Sequence, residues 1–264
     1  MRKNKSKIPS TIFIVLLMIF FYAPIIYTIV FSFNGSKSLT HWSGFSLRWY
    51  EKMFSSRSMT DAMWYTFTIA IISTIVSTGV GTIAAIGLSK CRKILRNVVE
   101  RVNDLPILNP DIVTAIGLLM FFSAIGLKKG FMTMLLAHIM FCIPYVMLSV
   151  TPKLRTLDPN LADAALDLGA TPWQALTKVI IPQIMPGIIS GALIAFTMSF
   201  DDFVISYFVT GNGVNNISIL VYTMSKRINP SINALSTIII LIITTALLII
   251  NIVPIIKERK AKKQ

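Results

Sequence analysis

Pro152 to Gln183, PKLRTLDPNLADAALDLGATPWQALTKVIIPQ, is a polar interlude with clear helix punctuation in a chain dominated by apolar blocks. Asp158 followed by Pro159 predicts a helix start, because a carboxylate satisfies free N–H groups and proline supplies a helical φ where its missing donor costs nothing. Leu161, Ala162, Ala164, Ala165 and Leu168 continue that helix, and Gly169 is placed to end it in a left-handed backbone conformation. Thr171 and Pro172 repeat the start signal for a second piece through Trp173, Ala175, Leu176 and Val179, predicted to stop before Pro182. The expected structure is helix, glycine corner, helix.

Outward from this stretch the composition changes character. Of 264 residues, 54% are hydrophobic and 14% charged, against about 25% charged in ordinary soluble domains. The apolar residues form six blocks, Thr11 to Phe33, Tyr65 to Ser89, Leu105 to Leu127, Phe131 to Thr151, Ile184 to Val209 and Asn233 to Ile256, each near the ~20 residues a helix needs to cross the hydrocarbon core. The fold class is therefore all-α, a polytopic membrane protein of about six transmembrane helices, with residues 1–264 forming a single transmembrane domain and 152–183 a cytoplasmic loop. The first block follows the basic Arg2, Lys3, Lys5 and Lys7, but exceeds a signal-peptide core and lacks an A-x-A site, so it is expected to be retained. With both termini inside, 17 of the 25 Lys and Arg face the cytoplasm and eight (Lys37, Arg48, Lys52, Arg57, Lys128, Lys129, Lys226, Arg227) face outward. This is the positive-inside pattern, and it accounts for the net charge of +14 without nucleic acid.

The external segment from Asn34 to Trp64 reads as a short interfacial helix with Leu47, Trp49, Tyr50, Met53 and Phe54 on one face, or as a lid on the bundle. Cys91 and Cys142 offer neither a disulfide framework nor metal-ligand spacing and read as packing residues. Three carboxylates, Asp111, Asp201 and Asp202, fall within expected spans, where ionised groups are costly and mark function by default. Asp201 and Asp202 are expected to edge a cation path, or one of them to hold its helix by accepting hydrogen bonds. Phe203 and Tyr207, with Phe200, flank the pair and suit ammonium groups through their ring faces, while each ring taken singly reads first as a lipid-facing or packing aromatic. Asp111, after Pro110, reads equally as path or helix cap, and His138 as a packing group satisfied between helices ahead of a place on the path. Gly79, Gly81, Gly87, Gly187 and Gly191 predict close helix contacts, and Pro144 and Pro186 predict kinks.

The run Asp163-Ala164-Ala165-Leu166-Asp167-Leu168-Gly169-Ala170, with Ile181-Pro182, resembles the EAA loop of bacterial ABC-importer permeases in residues and spacing. Pro110-Asp111-Ile112-Val113, His138 with Phe141-Cys142-Ile143-Pro144, Asp201-Asp202 and Phe208-Val209-Thr210-Gly211 extend the resemblance over nearly the whole chain to permeases of the spermidine/putrescine type. Asp163 departs from the usual Glu, keeping the charge on a shorter arm. The resemblance implies a type I ABC-importer permease fold in the bacterial cytoplasmic membrane, multi-pass, with cytoplasmic termini. It implies a polyamine substrate, and a coupling helix in which Asp163, Ala164, Ala165, Leu168, Gly169, Ala170 and Pro182 meet an ATPase. The partners implied are a second permease subunit, ATPase subunits and an extracellular or periplasmic polyamine-binding protein, together with the lipid bilayer. The chain has no G-x-x-x-x-G-K-[ST] motif, so no cofactor is expected on it and ATP with Mg belongs to the partner ATPase. It reads as a transporter subunit, not an enzyme. The alternatives are an importer for another solute such as an iron complex, an ion-driven carrier, and a lipid-modifying enzyme; the last finds no third group beside His138 and Cys142.

Overall fold

The computed structural model describes residues 8–224 and 229–261, so Arg2 to Lys7, Lys226, Arg227, Lys262 and Lys263 lie outside the described residues. The elements are helices α1 (Ile8–Ser32), α2 (Arg48–Ser55), α3 (Arg57–Ser89), α4 (Lys93–Leu108), α5 (Asp111–Ala124), α6 (Phe131–Arg155), α7 (Leu161–Asp167), α8 (Pro172–Gln174), a π-helical segment Ala175–Ile180, α9 (Ile181–Asp201), α10 (Val204–Val209), α11 (Ile217–Met224) and α12 (Ser231–Ala261). Among the described residues, four helical stretches are long and apolar enough to span a membrane alone: Thr11–Ser32, Arg57–Ser89, Phe131–Arg155 and Pro172–Asp201. The pair α4 and α5 makes a fifth if taken as one broken span. The sixth apolar block lies within α12, whose Ser231–Thr245 part is a shorter apolar helix.

Two blocks differ from the sequence reading. The third, expected from Leu105 to Leu127, is divided at Asn109 and Pro110, and the helices on either side are bent by 109°. Proline drives its predecessor out of the α region, and Asn109 is extended (φ −84°, ψ 147°), so α5 starts only at Asp111. The fifth helix starts earlier than expected and runs through Pro182. In the π segment the Ile181 N–H reaches back to Leu176 O rather than to Thr177 O. This wider turn comes just before Pro182, which has no N–H to donate, and the helix carries on into α9. Pro144 and Pro186 likewise sit inside uninterrupted helix. At its other end, the fifth helix stops at Asp201, short of the expected Val209.

The chain forms two compact units, residues 1–60 with 221–264, and residues 61–220. In the first, α12 packs on α1 and α2. Asn34 organises the loop after α1: its side chain donates to Ser38 O and His41 O at 2.9 and 2.8 Å and accepts from Ser43 N at 2.9 Å. Trp49 Nε1 donates to Asn34 O at 2.6 Å, and Trp49 and Met53, one turn apart, are fully buried. Leu47, just ahead of α2, and Phe54 are instead exposed, so the five residues expected on one face divide between two.

In the second unit α6 is the centre, packed along α9 and against α10 and α4, with α10 on α5. Three glycines permit this. A Cβ at Gly81 of α3 would lie 2.9 Å from Val146 Cβ; one at Gly191 of α9 would lie 3.2 Å from Val146 Cα; and one at Gly187 would lie 3.0 Å from Ser149 O. Val146 is thus pinched between two backbones. Gly79 and Gly87, also expected at close contacts, have nothing within 4 Å of a would-be Cβ. Gly81→Ala is therefore expected to lower stability by about 1–3 kcal/mol through overpacking. Gly79→Ala is expected to be neutral or stabilising, and thermal unfolding of the purified protein in detergent compares the two.

Candidate functional site

Of the residues expected to line a path, Asp201, Asp202, Phe203 and Tyr207 lie at the end of α9 and the start of α10, and Asp111 lies apart at the start of α5. Asp201 is the last residue of α9; Asp202 leaves the helix in an extended conformation (φ −61°, ψ 127°), and α10 begins two residues later. The break separates the two carboxylates. Asp202 turns inward and caps α10: its Oδ1 accepts from Ile205 N at 3.2 Å and its Oδ2 from Ser206 N at 2.7 Å. Asp201 is exposed, and its carboxylate has no hydrogen bond or ion pair among the described residues. Phe203 and Tyr207, one turn apart, lie with ring centroids 5.4 Å apart, and Phe196 and Phe200 stack at 5.6 Å on the last turns of α9. Asp111 is exposed at the first position of α5 and has no hydrogen bond or ion pair to this group.

His138 is the hub that joins the two half-helices. Its Nδ1 is 2.7 Å from Ser199 Oγ, on the last turn of α9, and its Nε2 is 2.9 Å from Ser206 Oγ, on α10. The same Nε2 is 3.5 Å from Asp202 Oδ2. Ser73 of α3 donates to Ser199 Oγ at 2.9 Å, and Asn216 Nδ2 donates to Ser206 Oγ at 2.9 Å and to Asp202 O at 2.8 Å. The amide orientation of Asn216 follows from its Oδ1, which accepts from Ile219 N at 2.9 Å.

These partners determine the direction of each bond. Ser206 gives its single proton to Asp202 Oδ2 at 2.8 Å, so toward the ring it accepts, and Nε2 carries the hydrogen. In the neutral imidazole Nδ1 is then the acceptor and Ser199 the donor. Donation runs one way, from Ser73 through Ser199, His138 and Ser206 to Asp202, with all five side chains buried or nearly so. Thr133 fastens the far end of α10 to the start of α6 by donating to Val209 O at 2.8 Å. Sequence reasoning singled out His138 as a satisfied group but missed Ser73, Ser199, Ser206 and Asn216. The available signal was small polar residues inside apolar blocks, together with Asn216 as a helix-capping type ahead of Ile217.

The second candidate site is the polar turn. Its first helix starts at Leu161, because Asp158 Oδ1 accepts from Asn160 N at 2.9 Å and closes a separate turn ahead of it. The corner forms as expected: Gly169 has φ +86°, and Ala170 N donates to Ala165 O at 3.0 Å, the bond that closes a Schellman cap. Thr171 and Gln174 then form a reciprocal capping box, Gln174 N to Thr171 Oγ1 at 3.3 Å and Thr171 N to Gln174 Oε1 at 2.9 Å. Asp163, Ala164 and Gly169 are exposed, Ala165 and Ala170 half-buried, and Leu168 and Trp173 are 89% and 71% exposed at the tip. Pro182 is exposed eleven residues beyond Thr171, within α9. Behind the turn lies a cleft of about 630 Å³ lined by residues that include Ile86, Arg96, Leu154, Ala162, Leu166 and Leu176.

Residues 77–260, which include the polar turn and every member of the network except Ser73, match the family model described as binding-protein-dependent transport system inner membrane component. The chain belongs to that family. It is 38% identical to the putrescine transport system permease protein PotI of Escherichia coli K12 over 229 residues, 84% of this chain and 82% of PotI. It is 36% identical to the spermidine/putrescine transport system permease protein PotC of Haemophilus influenzae over 233 residues, 88% of this chain and 90% of PotC. In fold it is similar to a chain from the crystal structure of a bacterial ABC transporter that imports the acidic polysaccharide alginate. That match has a TM-score of 0.73 at 16% identity and covers 96% of this chain and 98% of that one. α6 is long and apolar enough to span a membrane, and His138 is seven residues into it, roughly 10 Å from its N-terminal end. There unsatisfied polar groups are costly, and the chain of donors answers them internally.

Asn216→Ala removes the donor to both Ser206 and the Asp202 carbonyl and is expected to cost about 1–3 kcal/mol. Asn216→Asp, which sets a second carboxylate beside Asp202, is expected to cost more. Denaturant unfolding of the detergent-solubilised protein, followed by circular dichroism, measures both.

Proposed function

We propose that this chain is the transmembrane permease subunit of an ATP-driven importer for polyamines, spermidine or putrescine, and that Asp201 contacts the substrate. The observation that carries the assignment to Asp201 is the division of labour at the helix break. Asp202 uses its oxygens to cap α10 and to accept from Ser206, whereas Asp201 beside it is exposed. Polyamines carry ammonium groups separated by methylenes, which suit an exposed carboxylate followed in the chain by the aromatic pair Phe203 and Tyr207, whose ring centroids are 5.4 Å apart. Asp202 then serves the path by holding the break, and Asp111 lies on the same route at the start of α5. The names of the relatives support the cargo, since PotI and PotC are permeases for putrescine and for spermidine/putrescine.

The α7–α8 turn is the contact for an ATPase. Asp163, Ala164, Ala165, Leu168, Gly169 and Ala170 form a compact knob, rigid because both sides of the corner are capped, and Pro182 lies on the helix that leads away from it. Hydrolysis of ATP with Mg takes place on that partner, and this chain performs no covalent chemistry. The assembly has a second, PotB-like permease, PotA-like ATPase subunits and a PotD-like extracellular or periplasmic polyamine-binding protein. The termini and the α7–α8 turn face the cytoplasm, in keeping with the positive-inside bias.

Uptake of radiolabelled spermidine and putrescine into vesicles containing the complete complex tests the reading. Asp201→Asn is expected to raise the half-saturating polyamine concentration tenfold or more while leaving basal ATP hydrolysis in place, and Gly169→Pro to abolish ATP-dependent uptake. An assembled, ATP-hydrolysing complex that moves no polyamine would overturn the cargo.

A further inference from the structure

The helix before the 109° bend is unlike the others. α4 runs from Lys93 to Leu108 without a single buried residue. Placed at 100° per residue, its exposed apolar side chains Leu108, Ile94, Leu105, Val98, Val102 and Leu95 fall within an arc of about 140°, and Ile94 and Leu108 are 80% and 77% exposed. The polar flank carries Lys93, Asn97, Glu100 and Asp104, while Lys90 and Arg92 stand just ahead of the helix.

We infer that α4 is an interfacial helix whose apolar arc is seated in the bilayer and whose cations hold anionic phospholipid headgroups. Three observations select lipid as the occupant. The helix axis is turned 109° from that of α5, the apolar segment that follows it, so with α5 crossing the bilayer α4 lies along its surface. As part of a span, α4 would take Lys93, Arg96, Glu100, Arg101 and Asp104 into hydrocarbon, which is prohibitive for so many charges. Arg101 stands inside the apolar arc, between Leu108 and Ile94 on the helical wheel. A protein interface core is depleted of charge, but a bilayer accommodates such a side chain, because its stem lies along the acyl region while the guanidinium reaches the headgroups. Basic residues on an amphipathic helix of low overall hydrophobicity are the pattern that binds anionic membranes.

The helix is also wired to the coupling turn. Arg155 Nη2 bonds both oxygens of Glu100, at 2.9 and 2.7 Å, and so joins α4 to the last residue of α6, six residues before α7. The headgroup layer is in this way a fixed reference against which the α7–α8 turn is held. The leaflet involved is the one on the side of that turn, which is cytoplasmic on the proposed orientation.

The test uses the complete complex in vesicles of phosphatidylcholine alone or mixed with phosphatidylglycerol. The photoreactive residue p-benzoylphenylalanine is placed at Val98, in the arc, or at Asn97, on the polar flank, and adducts on this chain are read by mass spectrometry. The expected result is lipid adducts at position 98 and few at 97. Phosphatidylglycerol should be captured above its share of the membrane, with that enrichment falling roughly fivefold for each cation removed in Lys93→Gln and Arg101→Gln. Cross-links from position 98 to another protein chain, no adduct at all, or capture indifferent to headgroup charge would each overturn the proposal. The readout is independent of polyamine uptake, so it stands or falls separately from the cargo.

Discussion

The Asp202 carboxylate is only 6% exposed, so the protein itself must supply most of its hydrogen bonds, and the arrangement of this half of the protein follows from how that demand is met. The two free N–H groups at the start of α10 supply part of the answer, which requires α10 to start there and α9 to have ended. The Ser206 hydroxyl supplies more, and its own acceptor capacity is filled by His138 and Asn216. Five elements, α3, α6, α9, α10 and α11, contribute or are capped by at least one member, so the break in the fifth helix is a junction at which their positions are mutually specified. Each bond is modest, but a buried polar group left without a partner is expensive, and that asymmetry makes the set act together.

Close packing supports the same junction from further along α6. Val146 is two turns beyond His138 on α6, and the backbones at Gly81 and Gly191 approach it from either side. In lipid, where apolar side chains gain little by leaving their surroundings, small residues and interhelical hydrogen bonds are what remain to hold helices together, and α6 uses both along one length.

How much of this was legible follows from range. The corner at Gly169, the helix start at Thr171 and Pro172, and the position of α1 and α6 depend on neighbours within a few residues, and the sequence reading located them. The division of roles between Asp201 and Asp202 depended on partners as distant as Asn216 and His138, so the sequence reading posed the alternative without resolving it. The break at Asn109 and Pro110 was missed because the apolar run Leu105, Ile107 and Leu108 continues the following block in composition, while proline's effect on its predecessor is geometric. The passage of helix through Pro182 went the other way, since a local stop signal was overridden by one wide turn. For α2, a single apolar face was inferred where Trp49 and Met53 turn inward and Leu47 and Phe54 do not.

That wide turn has a further effect. Pro172 to Asp201 is one helical rod of 30 residues, with the Gly169 corner at one end and the carboxylate junction at the other. A π segment holds more residues per turn than the α-helix on either side, so it shifts the angular phase between the two ends of the rod. Which way Asp201 points relative to the knob is accordingly written in the number of residues between them. Deleting a single residue there would keep every side chain's chemistry and turn the two ends out of step, as cutting one tooth from a gear alters its timing and not its material.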